Sequence, residues 1–296
     1  MNRDERKKYA EEYIRINRRF EKAWFPKVKK ALKSKVSSLI ARLRSGGISA
    51  GRRWLSENTG NEKLEQVVSD LYTAVGLRHA RRNEIRMRKE EKGRHMYMQV
   101  KRIGFADAWT EWIQNYLRTF LLEKITYSVD ETTREKLLQV LDEAVKQGWG
   151  VDEIVGRLEA LPFTTFQAAR IVRTEVNRAA NAGVYAQGVT FDYELQKLWI
   201  SVKDHRTRGF SPDDHADHLH LDGQTVDFFD VFRDPRNGHE LQHPGDPKAQ
   251  AVDTVNCRCN MATQPKRDDK GRLIPKRSRV SVILPGQIRR PRTITV

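Results

Sequence analysis

A chain of 296 residues with 38% hydrophobic content is long enough for one large domain or two ordinary ones, which excludes a wholly disordered protein. No apolar run reaches the roughly 18–20 residues of a bilayer span, and the charged opening MNRDERKKYAEEY lacks a signal-peptide core. The net charge of +16 is concentrated at the ends: residues 1–100 carry 26 Lys and Arg against 12 Asp and Glu, residues 264–296 carry 10 against 2, and residues 201–263 carry 7 against 11.

A soluble protein of a reducing compartment, with no membrane partner, is therefore expected. Its two cysteines, one residue apart, are poorly spaced for an ordinary disulfide. Basic ends on a near-neutral body suit a polyanion, above all nucleic acid, or an acidic protein surface. The same charge runs also occur on solvated helix faces.

Along the chain, Ile14, Phe20, Trp24, Val28, Leu32, Val36, Leu39 and Leu43 recur at steps of mostly three or four. They predict an amphipathic helix with a kink or restart at Pro26 and a break at Ser45–Gly47. A second helix is expected from about Asn61 to Arg94, apolar through Leu64, Val67, Leu71 and Val75, then charged through RHARRNEIRMRKEEKGR, an end that projects into solvent or lies against a partner. Phe105, Trp109, Trp112, Ile113, Tyr116 and Phe120 form the densest aromatic stripe. At helical spacing such a stripe is core more often than a ligand cage.

Residues 128–161 read as two short helices, with Asp130 as an N-cap, Gly148 near a C-terminus and VDEIVGRL starting afresh. A further helix from about Thr164 to Gln187 places Arg170, Thr174, Arg178 and Asn181 on one side, flanked by Arg173 and Glu175. A solvated face is the default for that pattern. However, Ala179, Ala180, Ala182 and Gly183 would let another backbone approach, and the helix is expected to pack under the histidine-rich loop with Arg173 or Glu175 as a buried anchor. After Phe191, YELQKLWISV alternates as a strand, and most prolines and many glycines and aspartates follow, which predicts short strands and long ordered loops. The last stretch, basic around one strand candidate at Val280–Leu284, reads as an extended arm. The fold class is α+β: a mainly helical N-terminal half, a small loop-rich domain with short strands, and a basic extended tail. The divisions expected are 1–125, 126–263 and 264–296.

Six of the eight histidines (His205, His215, His218, His220, His239, His243) and both cysteines fall between Lys197 and Cys259. Thiolate and imidazole are the usual ligands of tetrahedral zinc, and such a site would clamp a loop-rich region that lacks a broad core. One reading is a single structural zinc held by Cys257, Cys259 and two of His215, His218 and His220. A second has these side chains packing and hydrogen-bonding without metal. A third is a nuclease in which Asp204, His205, His218 and His220 hold a divalent ion as Lewis acid and supply a general base, although no local sequence fixes nucleophile, base and orienter in a familiar order.

The same residues carry a resemblance. An RTE..RA.N.G helix (Arg173, Thr174, Glu175, Arg178, Ala179, Asn181, Gly183) is followed by K.W....D.RTR (Lys197, Trp199, Asp204, Arg206, Thr207, Arg208). Then come H....DGQ.V (His218, Asp222, Gly223, Gln224, Val226), PGDP (244–247) and NCRC (256–259). In order and spacing, over roughly residues 130–262, this resembles the phage Mu F-like minor head proteins, also called the phage head morphogenesis family. The resemblance implies a virion component of a tailed bacteriophage, made in the host cytoplasm and present in few copies in the head interior or at the portal vertex. It would be non-enzymatic, acting in head assembly or DNA delivery. Its implied partners are the portal protein, packaged double-stranded DNA, and capsid or scaffold proteins. The rival functions are the metal-dependent nuclease and a basic nucleic-acid-binding module. Arg173, Glu175, Asp204, Arg206 and Gly223 stand as structural motif residues, with turnover, DNA binding alone or a portal complex as the discriminating results.

Overall fold

The computed structural model describes residues 1–92 and 103–276. Six helices lead: α1 (Arg3–Glu57), α2 (Glu62–Lys92), α3 (Ile103–Phe120), α4 (Leu122–Gln147), α5 (Val151–Ala160) and α6 (Phe163–Thr190). After them come β1 (Leu195–Ile200), β2 (Thr225–Asp227), β3 (Phe232–Arg233), β4 (Glu240–Leu241), α7 (Ala251–Thr254) and β5 (Asn260–Pro265). This is the expected α+β class, helical first and loop-rich after. No described helix is long and apolar enough to cross a membrane. The chain forms two compact units, neither a continuous stretch: one comprises residues 1–20, 71–119 and 173–296, the other 21–70 and 120–172.

The second unit is all helical. Its core joins Val36, Leu39, Leu43 and Leu55 of α1 to Leu137, Leu141 and Ala144 of α4 and Ile154, Val155 and Leu158 of α5. Helical backbone continues through Pro26 and leaves helical geometry only at Gly46 and Gly47, so the glycine break is found and the restart at Pro26 is not. Pro26 is exposed, so the carbonyl its ring leaves without a partner can be hydrated. Asp130 is not an N-cap, because α4 begins at Leu122. Its buried carboxylate instead ion-pairs with buried Lys35 and accepts the Gly60 N–H at 3.0 Å, while Lys35 also donates to the Asn58 carbonyl at 2.9 Å. This buried pair ties down the α1–α2 turn, where a free polar backbone would otherwise be costly. Gly148 ends α4 in the left-handed conformation, as its position predicts.

The first unit is a helical layer on a small sheet. β1 is central in the antiparallel order β2-β1-β5, with Lys197 opposite both Val226 and Thr263. β3 and β4 make a separate two-stranded ribbon. Because β1 is paired on both edges and covered on both faces, even Lys197 is fully buried. The aromatic stripe of α3 is core: Trp112 stacks on Tyr116 at 5.1 Å and lies 5.6 Å from Tyr185 of α6. Gly183 of α6 lies so close to Gly76 of α2 that a Cβ at Gly183 would stand 2.1 Å from the Gly76 carbonyl oxygen, which is the backbone approach the small residues predict.

The charged end of α2 lies against the chain's own sheet: Arg86 donates to the Thr263 carbonyl, and Asn83 donates to Gln187 (2.5 Å) and Thr263 (2.7 Å). The first part of the basic tail also folds back, with bridges Arg267–Leu273 and Tyr193–Pro275 and Lys276 on the Gly188 and Val189 carbonyls. The strand candidate Val280–Leu284 and the Phe105 side chain lie outside the described residues.

Candidate functional site

The polar face of α6 is buried from Thr174 to Asn181, with Arg170 exposed beyond it, and the buried part is spent mainly on one strip of backbone. Glu175 is 4% exposed; its Oε1 accepts from Arg178 at 2.9 Å and its Oε2 accepts from the Tyr72 hydroxyl at 2.7 Å. Arg178 passes on to Thr254 Oγ1 at 2.7 Å. Asn177 and Asn181 both donate to the Cys259 carbonyl (3.1 and 3.2 Å), and Asn181 Oδ1 accepts the Met261 N–H at 2.9 Å. Thr174 accepts the Asn256 N–H at 3.0 Å, and Arg173 reaches the Asn256 amide oxygen at 3.3 Å. Asn256 has φ 58, a left-handed conformation that asparagine tolerates better than most residues. The helix therefore holds residues 254–261 by side-chain bonds to their backbone and to Thr254, which supports buried polar groups without exposing any. The buried anchor is Glu175, while Arg173 lies at the edge.

That grip presents Cys257 and Cys259 to His218. Cys257 Sγ is 3.6 Å and Cys259 Sγ 3.8 Å from His218 Nδ1, and all three side chains are at most 3% exposed. The hydrogen bond with Cys259, together with His218, holds the Cys257 thiol well below its usual range, and the same pairing with burial pushes Cys259 up. Ser201 fixes His218 by donating to its carbonyl, Trp199 packs edge-on to the imidazole at 5.1 Å, and buried Asp234 and Asp253 lie within 4.8 Å of a ring nitrogen. His218 Nε2 is buried and has no hydrogen-bond partner.

His215 and His220 do not join this cluster. Both are exposed; His220 Nδ1 pairs with Asp217 at 2.6 Å, and His215 meets Asn237 through its carbonyl. A zinc set of two cysteines and two of these histidines is therefore not assembled, because the loop between Asp213 and His220 turns their side chains outward. Asp204 takes a two-pronged contact from Arg258, one arm at 2.6 Å, and this guanidinium holds its carboxyl at about 2. Arg206 is exposed beside it, and His205 is exposed as well. The other two histidines between Lys197 and Cys259 are occupied elsewhere: His239 pairs with Asp253 at 2.9 Å, and buried His243 lies 3.0 Å from the Tyr116 hydroxyl.

Residues 135–262 match the family model described as Phage Mu protein F like protein. The chain carries a phage Mu F-like domain. Comparison with curated proteins and with solved structures finds no match.

Each motif of the Mu F-like domain has a mechanical reading. Gly223, at φ 88, closes the turn whose Asp222 accepts the Ser201 N–H at 2.9 Å and pairs with Lys203 at 2.6 Å. In PGDP, Gly245 at φ 78 passes so close to Arg178 that a Cβ would meet its Cγ at 2.8 Å. Asp246 accepts the Gln242 and Lys248 amides at 2.7 and 2.9 Å. Lys197 donates to the Gln242 carbonyl at 2.6 Å, with its ammonium over Phe232 and Tyr185, and burial lowers it to about 7.

Sequence reasoning missed Tyr72, Asn83, Asp234 and Asp253. Tyr72 follows Leu71 in an apolar helix and shows no polar signal. Asp234 and Asp253 sit in turn-like DPRNG and AVDTV contexts, where aspartate is expected for local reasons.

Proposed function

We propose that this protein is a minor head protein of a tailed bacteriophage that binds the portal vertex from the head interior, touches packaged double-stranded DNA with its basic surface, and acts in head assembly or DNA delivery without catalysing a reaction. The observation that carries the reading is the Mu F-like match over residues 135–262, in which the motif residues are spent on holding backbone together. A nuclease that holds its metal with Asp204, His205, His218 and His220 is disfavoured, because Arg258 occupies both carboxylate oxygens of Asp204, His205 and His220 are exposed, and buried His218 gathers instead with the cysteines. The exposed Lys7, Lys8, Arg15, Arg18 and Arg19 on α1 give a phosphate backbone a surface whose affinity would fall steeply with salt.

Co-expression with the portal protein of the same genome tests the first part: a stable complex is expected, and none forming at any salt would reject portal association. Deleting residues 1–100 would be uninformative there, since α1 and α2 build both compact units. Replacing the five exposed α1 cations with glutamine is the appropriate probe. It should leave the fold intact and weaken DNA binding with a shallower salt dependence; unchanged DNA affinity would reject that surface.

A further inference from the structure

The geometry of the cysteine–histidine cluster carries an assignment independent of the head-protein reading. We propose that Cys257, Cys259 and His218 bind one Zn²⁺ as a three-residue site whose fourth coordination position opens onto the pocket of Arg206, Arg208 and Arg258, where it takes water or the oxygen of a small anion. A tetrahedral zinc with Zn–S of about 2.3 Å and Zn–N of about 2.0 Å sets each S···N edge at about 3.5 Å. The observed edges, 3.6 and 3.8 Å, are those of a site already in register for the ion.

The ligands are held from outside, as metal sites require. The Cys259 carbonyl is fixed by Asn177 and Asn181, and the His218 carbonyl by Ser201. With Nδ1 facing the sulfurs, the His218 proton belongs on Nε2, the buried nitrogen without a hydrogen-bond partner. Asp234 and Asp253 place carboxylate oxygens within 4.8 Å of one of the His218 ring nitrogens, the kind of outer carboxylate that orients a ligating imidazole.

The fourth ligand has to come from outside the protein. The three ligands line one small pocket with Arg206, Thr207, Arg208 and Arg258, and that lining holds no further carboxylate, imidazole or thiol. Two thiolates neutralise a divalent ion, so the open side of the site faces three guanidiniums, of which Arg258 is paired with Asp204 and Arg208 is bound to the Val255 carbonyl at 2.6 Å. Arg206, 57% exposed at its side chain and only loosely paired with Asp204 at 3.8 Å, is the one best placed to meet an incoming anion. Three protein ligands plus one exchangeable position is the arrangement of zinc sites that bind a solvent or substrate oxygen rather than of closed structural ones.

The test is cobalt substitution of the full-length protein, purified reduced and stripped by chelator. One equivalent of Co²⁺ is expected to give thiolate-to-cobalt charge-transfer bands and the intense visible bands of four-coordination. Inorganic phosphate should shift the visible bands saturably and leave the charge-transfer bands in place. Arg206→Gln should weaken the phosphate effect several-fold with no change in cobalt affinity, and His215→Ala and His220→Ala should leave both unaltered. Cys257→Ser and Cys259→Ser should each diminish the charge transfer; if either fails to fold, the wild-type spectrum and the histidine variants still decide. Absence of stoichiometric binding, or charge transfer surviving in a folded Cys257→Ser, Cys259→Ser double variant, would overturn the site. Loss of cobalt in His215→Ala or His220→Ala, or visible bands insensitive to phosphate, would overturn its open fourth position.

Discussion

Replacing Gly183 with alanine sets two opposing effects against each other. In a helix interior alanine is favoured over glycine by about 1 kcal/mol. At Gly183, however, the added Cβ would lie 2.1 Å from the Gly76 carbonyl oxygen and 2.7 Å from the Gly76 Cα and carbonyl carbon. Ordinary carbon–oxygen contact needs more than 1 Å of further separation, and both partners are helix backbone, so no rotamer can relieve the clash. Nor can α2 simply retreat: a Cβ at Gly76 would stand 2.7 Å from Ile113 of α3, so the helix has α3 close against it as well. Overpacking costs about 1–3 kcal/mol where side chains can yield and more where they cannot; the expected net loss is about 2–3 kcal/mol. Gly156, in α5, has nothing within 4 Å of its would-be Cβ, so Gly156→Ala should be neutral or stabilising by up to about 1 kcal/mol. Both are read by hydrogen exchange with mass spectrometry, since two compact units make a single melting temperature ambiguous. Peptides from residues 71–89 and 173–190 should lose protection by about 30-fold in Gly183→Ala, with residues 151–160 little changed. Equal or greater protection in Gly183→Ala than in wild type would refute the close helix contact.

Three further outcomes are expected. Lys197 is neutral in the folded protein above about 7 but keeps its proton to about 10.5 when unfolded. The unfolded state therefore binds more protons between those limits, and this group makes stability rise with pH across that window, by at most about 5 kcal/mol. Urea unfolding between pH 7 and 9 should show the rise, and Lys197→Met should flatten it; a slope unchanged in the variant would contradict the burial of the amine. Glu175→Gln leaves the Arg178 charge buried without its counter-ion and should cost about 3 kcal/mol, while the double change Glu175→Gln, Arg178→Met should cost less than the sum of the singles; simple additivity in a double-mutant cycle would argue against the pair. Asp204→Asn should lower affinity for neither zinc nor cobalt, because Asp204 lies on Arg258 and not among the ligands; loss of metal in that variant would place the carboxylate in the coordination sphere.

The elements that sequence pattern makes legible are those whose burial is apolar. The stripe of Val36, Leu39 and Leu43, the aromatic face of α3 and the alternation into β1 all predict their observed partners' chemistry. Gly46–Gly47 and Gly148 mark real breaks because no side chain competes with their backbone role. Where burial is polar the pattern misleads. His79, Asn83 and Met87 form the buried stripe of the second half of α2, yet in sequence they are lost among six arginines between positions 78 and 94. Asp130 carries the local signature of a cap, and only the arrival of Lys35, distant in sequence, makes it an interior ion pair. Among the histidines, clustering in sequence is the wrong guide. His215 and His220 flank His218 by three and two positions, but in a turn-rich loop neighbouring side chains diverge, and the residue aimed inward is set by Ser201 and Trp199 on and after β1.

The candidate metal centre and the buried α6 face also explain each other. A CxC pair presents two sulfurs to one side only if the backbone between them is held in a bent course, which a free loop does not maintain against the entropy of about 1–2 kcal/mol per residue that ordering it costs. Here Asn256 takes up the left-handed bend under Thr174, and Asn177 and Asn181 fix the carbonyl of the second cysteine. The asparagines and threonine of the RTE..RA.N.G helix thus set the sulfur geometry without contacting a sulfur. Arg178 and Glu175 then fix the segment just before it through Thr254 and Tyr72. The two motifs that lie about eighty residues apart in sequence form one device: a buried polar helix face that shapes a strip of backbone, and a strip of backbone that gathers two thiols and an imidazole beneath an arginine-lined opening.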